Sequence, residues 1–144
     1  MSVAAHFSMA PINPAVGPEQ FRADVEQVQA TCILTTPDLS AKLALDEPWV
    51  AQSGITIVHV DFSPWQELAL TYPDGTPLPV HTMPSQPNRG SDMCLMLFTS
   101  GTSGKKKIVP LSLHQVVVGA MQVIDSWGLT PDDVCLNMMP LFHV

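Results

Sequence analysis

The chain is predicted to be an α/β protein. Proline-led amphipathic segments alternate with short β-branched runs. One apolar run ends directly in a loop of glycines and hydroxyls, and a capped helix follows that loop.

Taken in order, residues 18–21 (PEQF) open a helix. Pro18 suits a first helical position, and Phe21, Val25 and Val28 share one face. Residues 32–35 (CILT) follow as a strand, which makes an α/β unit. A second helix is predicted over residues 37–45, broken before Pro48 because the residue preceding a proline avoids the helical region. Residues 55–60 (ITIVHV) form the next strand, strongly β-branched. Residues 72–90 contain Pro73, Pro77, Pro79, Pro84 and Pro87, which mark a surface connection. Residues 92–98 (DMCLMLF) are a buried strand ending at Thr99, and 108–111 (IVPL) are a second short apolar segment. Ser112 and Gln115 make a capping box, behind which Val116, Val117, Ala120, Ile124 and Trp127 recur at helical spacing. Trp49, Trp65 and Trp127 are assigned to the core. Thr130-Pro131-Asp132-Asp133 is turn chemistry, not an acid/base dyad. There is no internal repeat.

Composition narrows the class. The 144 residues amount to one domain at most. Hydrophobic residues make up 46% and charged residues 13%, against about 25% charged in ordinary soluble domains. A segment cut from a larger domain has that balance, because surfaces meant for neighbours count as its own. No apolar run approaches the roughly 20 residues of a spanning helix, and the first residues lack the basic start of a signal peptide. Cys32, Cys94 and Cys135 are odd in number and sit in apolar runs, as reduced core residues of an intracellular protein do. A formal charge of −7 argues against nucleic acid as a partner. His6, His59, His81 and His114 have no Cys, Asp or Glu at ligand spacing, so no zinc site is expected.

Residues 99–107 (TSGTSGKKK) carry the chemistry. Their three lysines are half of the six Lys and Arg residues in an acidic chain. Gly101 and Gly104 let backbone N–H groups turn inward, and Thr99, Ser100, Thr102 and Ser103 add hydroxyl donors. A lysine within ~4 Å of a phosphate oxygen is worth about 4 kcal/mol at an effective dielectric near 20. Phosphate is the natural ligand. The bland readings are a tight turn and a solvated lysine face. Consecutive residues of an extended segment point to opposite sides, so Lys105 and Lys107 can share one side without Lys106. A Walker A loop fails because position 106 is Lys, a dinucleotide fingerprint lacks its further glycines, and a nucleophile elbow would need Gly at 105. An amidase-type Ser-Ser-Gly loop lacks its partner lysine or serine.

The loop resembles the phosphate loop of the adenylate-forming enzymes, which include acyl-CoA synthetases, luciferases and peptide-synthetase adenylation domains. Their pattern is Thr/Ser-Ser-Gly-Thr-Thr/Ser-Gly, any residue, Pro, Lys, Gly. Residues 99–104 match throughout, and Lys107 falls on the motif lysine. Lys106 stands in place of the proline and Ile108 in place of the glycine. Residues 139–144 (MPLFHV) resemble the family's next motif, one helix and one strand later, and residues 9–14 (MAPINP) resemble an earlier one.

The resemblance implies that residues 1–144 are part of the large N-terminal domain of such an enzyme, truncated at both ends, with helices layered on a mostly parallel sheet. Residues 72–90 would be a variable surface connection within it. It implies an ATP-dependent ligase that activates a small-molecule carboxylic acid as an acyl-adenylate. Coenzyme A, or the phosphopantetheine of a carrier domain, would then take the acyl group. Thr99, Ser100, Gly101, Thr102, Ser103 and Gly104 would hold the nucleotide phosphates, and Lys107 would be the catalytic cation. Phe142 and His143 would border the acyl pocket; without that motif His143 would be an ordinary exposed histidine. Magnesium would accompany the nucleotide, and the setting would be cytoplasmic, with no nucleic acid and no membrane span. Alone, the piece would be inactive. The alternative is a catalytically silent nucleotide-binding remnant.

Overall fold

A computed structural model describes residues 3–62, 67–79, 86–99, 106–140 and 142. The chain divides into two compact units, Asn13–Met83 and the pair of segments Met1–Ile12 with Pro84–Val144. One division falls within the predicted 72–90 connection.

In the first unit, α1 (Pro18–Val28) has Pro18 at its start and Gln29 in the left-handed region at its end. It delivers Phe21 and Val25 to the core beside Ile33 of β1 (Cys32–Thr35). Asp24, fully buried, accepts a hydrogen bond from Gln20 Nε2 at 2.8 Å. The predicted 37–45 helix stops sooner, as α2 (Pro37–Lys42) capped by Thr36. Ala44 turns to φ 53, and Leu45 N–H donates to the Ser40 carbonyl at 3.1 Å. That early unwinding buries both Leu43 and Leu45. A further short helix, α3 (Pro48–Gln52), buries Trp49 and Val50, with the Arg22 guanidinium 5.5 Å from the Trp49 ring centre.

β2 (Thr56–Phe62) runs parallel to β1, with Ile33 beside Ile57 and Leu34 beside Val58. β3 (Leu68–Thr71) then pairs antiparallel with β2, His59 opposite Thr71. The α/β class holds, and among the described residues β1–β2 is the parallel pairing between strands, the others between strands being antiparallel. The cause is loop length: a parallel return needs a crossover of a dozen or more residues, and residues 63–67 are too few. Beyond β3, Tyr72 N–H donates to the Thr76 carbonyl and Leu78 N–H to the Leu70 carbonyl. The front of the Pro-rich stretch therefore folds back onto the sheet. Gly75, at φ 84, makes that turn.

In the second unit, Met9 bridges Leu95 of β4 (Met93–Thr99) in parallel, with Met9 N–H donating to the Cys94 carbonyl at 2.9 Å. Asn88 donates to the Ala4 and Ala5 carbonyls, tying residue 88 to the turn at Val3–Ala5. β5 (Lys107–Ser112) pairs antiparallel with β4, again across too short a connection for a crossover. Ser112 ends β5 and caps α4 (Leu113–Trp127) at once. Gln115 N–H donates to Ser112 Oγ at 3.2 Å, Ser112 N–H donates to Gln115 Oε1 at 2.8 Å, and Gly128 closes the helix at φ 62.

The assignment of the three tryptophans to the core is corrected in part. Trp49 is buried, Trp65 lies outside the described residues, and Trp127 is 76% exposed. Val117 and Ile124 on its helix face are also exposed. No strand forms among the described residues after α4. Asp133 does make a turn: its Oδ2 accepts from Thr130 N–H at 2.6 Å and from the Thr130 hydroxyl at 3.0 Å. Those bonds hold its carboxyl below the ordinary aspartate range. Among the described residues no helix is long and apolar enough to cross a membrane.

Candidate functional site

Antiparallel pairing decides which side chains meet at the end of β4. The ladder sets Thr99 opposite Lys107, Phe98 opposite Ile108 and Leu97 opposite Val109. Opposed residues share a face, and faces alternate along each strand. Leu97, Thr99, Lys107 and Val109 therefore stand on one side of the hairpin, and Phe98 and Ile108 on the other. Leu97 is buried, Thr99 half-buried and Lys107 exposed, so apolar support grades into an exposed cationic edge along one face of the hairpin. The Thr99 hydroxyl donates to the Lys107 carbonyl over a long 3.5 Å.

Lys106 goes the other way. Its Nζ lies 5.5 Å from the centre of the Phe98 ring. No sequence signal assigned Lys106 a ring to stack on; the diagonal Phe98–Lys106 relation follows only once the register is known.

Of the residues selected from the sequence, the structure brings Thr99 and Lys107 together. Ser100, Gly101, Thr102, Ser103 and Gly104 lie outside the described residues, as do Lys105 and His143. Phe142 is half-buried in a turn. An open depression of about 430 Å³ is lined by Gly90, Ser91, Ser112 and His114. It lies at the Ser112 end of β5, roughly 17 Å along the strand from Lys107 at about 3.3 Å per residue. It belongs to the helix cap and not to the Thr99–Lys107 edge.

The donor set at that edge is cationic and hydroxylic, which suits phosphate oxygens and does not suit a bare cation. Among the described residues no three His, Cys, Asp or Glu side chains gather to hold a metal ion. These residues therefore offer magnesium no fitting ligand set. All three cysteines are free, but only Cys94 is the expected core residue; Cys32 and Cys135 are exposed. Partial burial pushes the Cys32 thiol up, the reverse of what an activated nucleophile needs.

The model of the AMP-binding enzyme family matches residues 3–144. A medium/long-chain-fatty-acid–CoA ligase, FadD17 of Mycobacterium marinum, is 30% identical over 92% of this chain and 23% of its own length. An oxalate–CoA ligase of Arabidopsis thaliana is 26% identical over 99% of this chain and 27% of its own. The crystal structure of ATP-bound MatB from Rhodopseudomonas palustris superposes with a TM-score of 0.68 at 20% identity. That superposition covers 95% of this chain and 26% of MatB, and it establishes the fold. The chain spans about a quarter of the length of these relatives.

Proposed function

The chain belongs to the AMP-binding enzyme family, and from that premise we propose that it supplies the phosphate loop of an ATP-dependent acid–CoA ligase acting in the cytoplasm. The observation that carries this reading is the β4–β5 register. It sets Thr99 opposite Lys107, at the two ends of a glycine- and hydroxyl-rich connection. The CoA ligases among its relatives favour coenzyme A over a carrier-bound thiol as the acceptor.

In the first step a carboxylate oxygen of the acid bonds to the α-phosphorus of ATP. The bond from that phosphorus to the bridging oxygen breaks, and pyrophosphate leaves with the electron pair. Lys107 offsets the charge that grows on this leaving group, while Thr99 and the hydroxyls and N–H groups of 100–104 hold the β- and γ-phosphates. In the second step the thiolate of coenzyme A bonds to the acyl carbon, and AMP leaves with the oxygen. The protein's share of both steps is positioning and charge placement, with no covalent bond to the chain.

The test is carboxylic-acid-dependent exchange of labelled pyrophosphate into ATP, by a full-length enzyme carrying this chain. Exchange that rises with an added acid, followed by thioester formation when coenzyme A is supplied, is the expected result. No exchange with any aliphatic, aromatic or dicarboxylic acid would leave the silent nucleotide-binding remnant as the reading.

Phe142 and His143 are assigned to the acyl side of the site. A histidine ring gives a flat apolar wall and a polar edge able to hydrogen-bond a carboxylate oxygen. In the same enzyme His143→Ala is expected to raise KM for the acid about tenfold, the scale of one lost hydrogen bond of 1–1.5 kcal/mol. KM for ATP should stay within twofold. A defect confined to ATP would move His143 to the nucleotide side.

A further inference from the structure

We propose that Lys106 is a positioning residue. Its ammonium, laid over the Phe98 ring, fastens the start of β5 to the end of β4 and so keeps Lys107 on the Thr99 face. Its effect on rate rests on the phosphate-loop reading above; the fastening itself does not.

Three observations support it. The Lys106 Nζ to Phe98 centroid distance of 5.5 Å lies inside the ~6 Å reach of a cation–π contact. Phe98 is half-buried in β4 with Ile108 directly opposite, so the ring is held and can serve as an anchor. Lys106 is the diagonal neighbour of Phe98, at a spacing that long side chains span across a sheet.

The mouth of the hairpin needs such a fastening. Among the described residues Thr99↔Lys107 is the last pair of the ladder, and the side-chain bond across it is a long 3.5 Å. A terminal pair frays unless something beyond it restrains the chain. A proline at position 106 would restrain it by fixing φ near −65°. Lysine leaves φ free, and here a side-chain contact on the far face supplies the restraint. The two lysines thus divide the work: Lys106 is engaged on the ring, and Lys107 stays exposed on the opposite face.

The test uses a full-length enzyme carrying this chain and four variants: Lys106→Ala, Lys106→Arg, Phe98→Leu, and Lys106→Ala with Phe98→Leu. Amide hydrogen exchange over residues 97–99 and 107–109 is the first readout. Lys106→Ala and Phe98→Leu should each speed it two- to fivefold, the size of an exposed cation–π contact. The double variant should be no faster than either single one, and Lys106→Arg should match wild type because guanidinium stacks at least as well. Pyrophosphate exchange is the second readout. There kcat should fall by the same factor in Lys106→Ala and recover in Lys106→Arg, with KM for the acid unchanged. Unaltered amide exchange in Lys106→Ala, factors that multiply in the double variant, or no recovery with arginine would each overturn the inference. A wild-type enzyme without acid-dependent exchange sinks the phosphate-loop reading alone, since the amide data still decide the fastening.

Discussion

Lys107→Ala, made in a full-length enzyme carrying this chain, is expected to slow acyl-adenylate formation about a hundredfold or more. Removing one preorganised group that meets charge developing in a transition state costs on the order of 10²–10³ in rate. Lys107 meets the structural conditions for such a group. It stands on the Thr99 face of the hairpin, exposed, with buried Leu97 two pairs behind it on the same face. Its neighbour Lys106 faces the Phe98 ring on the other side. The decisive comparison is therefore between adjacent lysines, measured as kcat for pyrophosphate exchange with ATP saturating. Lys107→Ala should lose about a hundredfold and Lys106→Ala only two- to fivefold. Equal losses would mean that the register assigned to the motif lysine is wrong.

That contrast shows what the amino-acid order could and could not disclose. Local signals were legible where one residue type has a single good use. Pro18 and Pro37 start helices, and the Ser112–Gln115 box forms with both of its hydrogen bonds. The strand over 32–35 has the predicted bounds, because β-branched and apolar residues sit between clear breakers. Features that depend on partners were not legible. β3 has only Leu68, Ala69, Leu70 and Thr71 to declare itself, and it exists because β2 offers an edge across a short loop. The 37–45 helix ended early because burying Leu43 and Leu45 outweighed three more helical residues, even with Ala44 in the left-handed region. The strand implied between α4 and residue 139 did not form, since a strand is stabilised by a neighbour and residues 134–139 pair with no strand among the described residues. The site followed the same division. The loop's residue types pointed to phosphate, but which lysine faces Thr99 needed the ladder.

The same lack of partners yields the second large effect. Produced by itself, the 144-residue chain is expected to self-associate, to bind a hydrophobic dye strongly and to give no acid-dependent pyrophosphate exchange. α4 exposes Val117, Met121, Ile124 and Trp127 by 47%, 57%, 46% and 76%, and beyond it Val134, Leu136 and Met138 are 96%, 81% and 83% exposed. Burying a large apolar side chain is worth about 1.5–3 kcal/mol, so the four on α4, each about half exposed or more, forgo roughly 3–7 kcal/mol. That is comparable with the whole net stability of a small domain, about 5–15 kcal/mol. Contiguous apolar surface of this kind is covered in stable monomers or drives association. Sedimentation and dye fluorescence across a concentration series would follow it. Ile124→Glu with Trp127→Lys should lower both association and dye binding, because the charges interrupt the patch while leaving the Ser112–Gln115 cap untouched. A monomer with a sharp cooperative melt and no dye signal would show that α4 is satisfied as it stands. Robust exchange by the isolated chain would further show that a quarter of its relatives' length is enough for the chemistry.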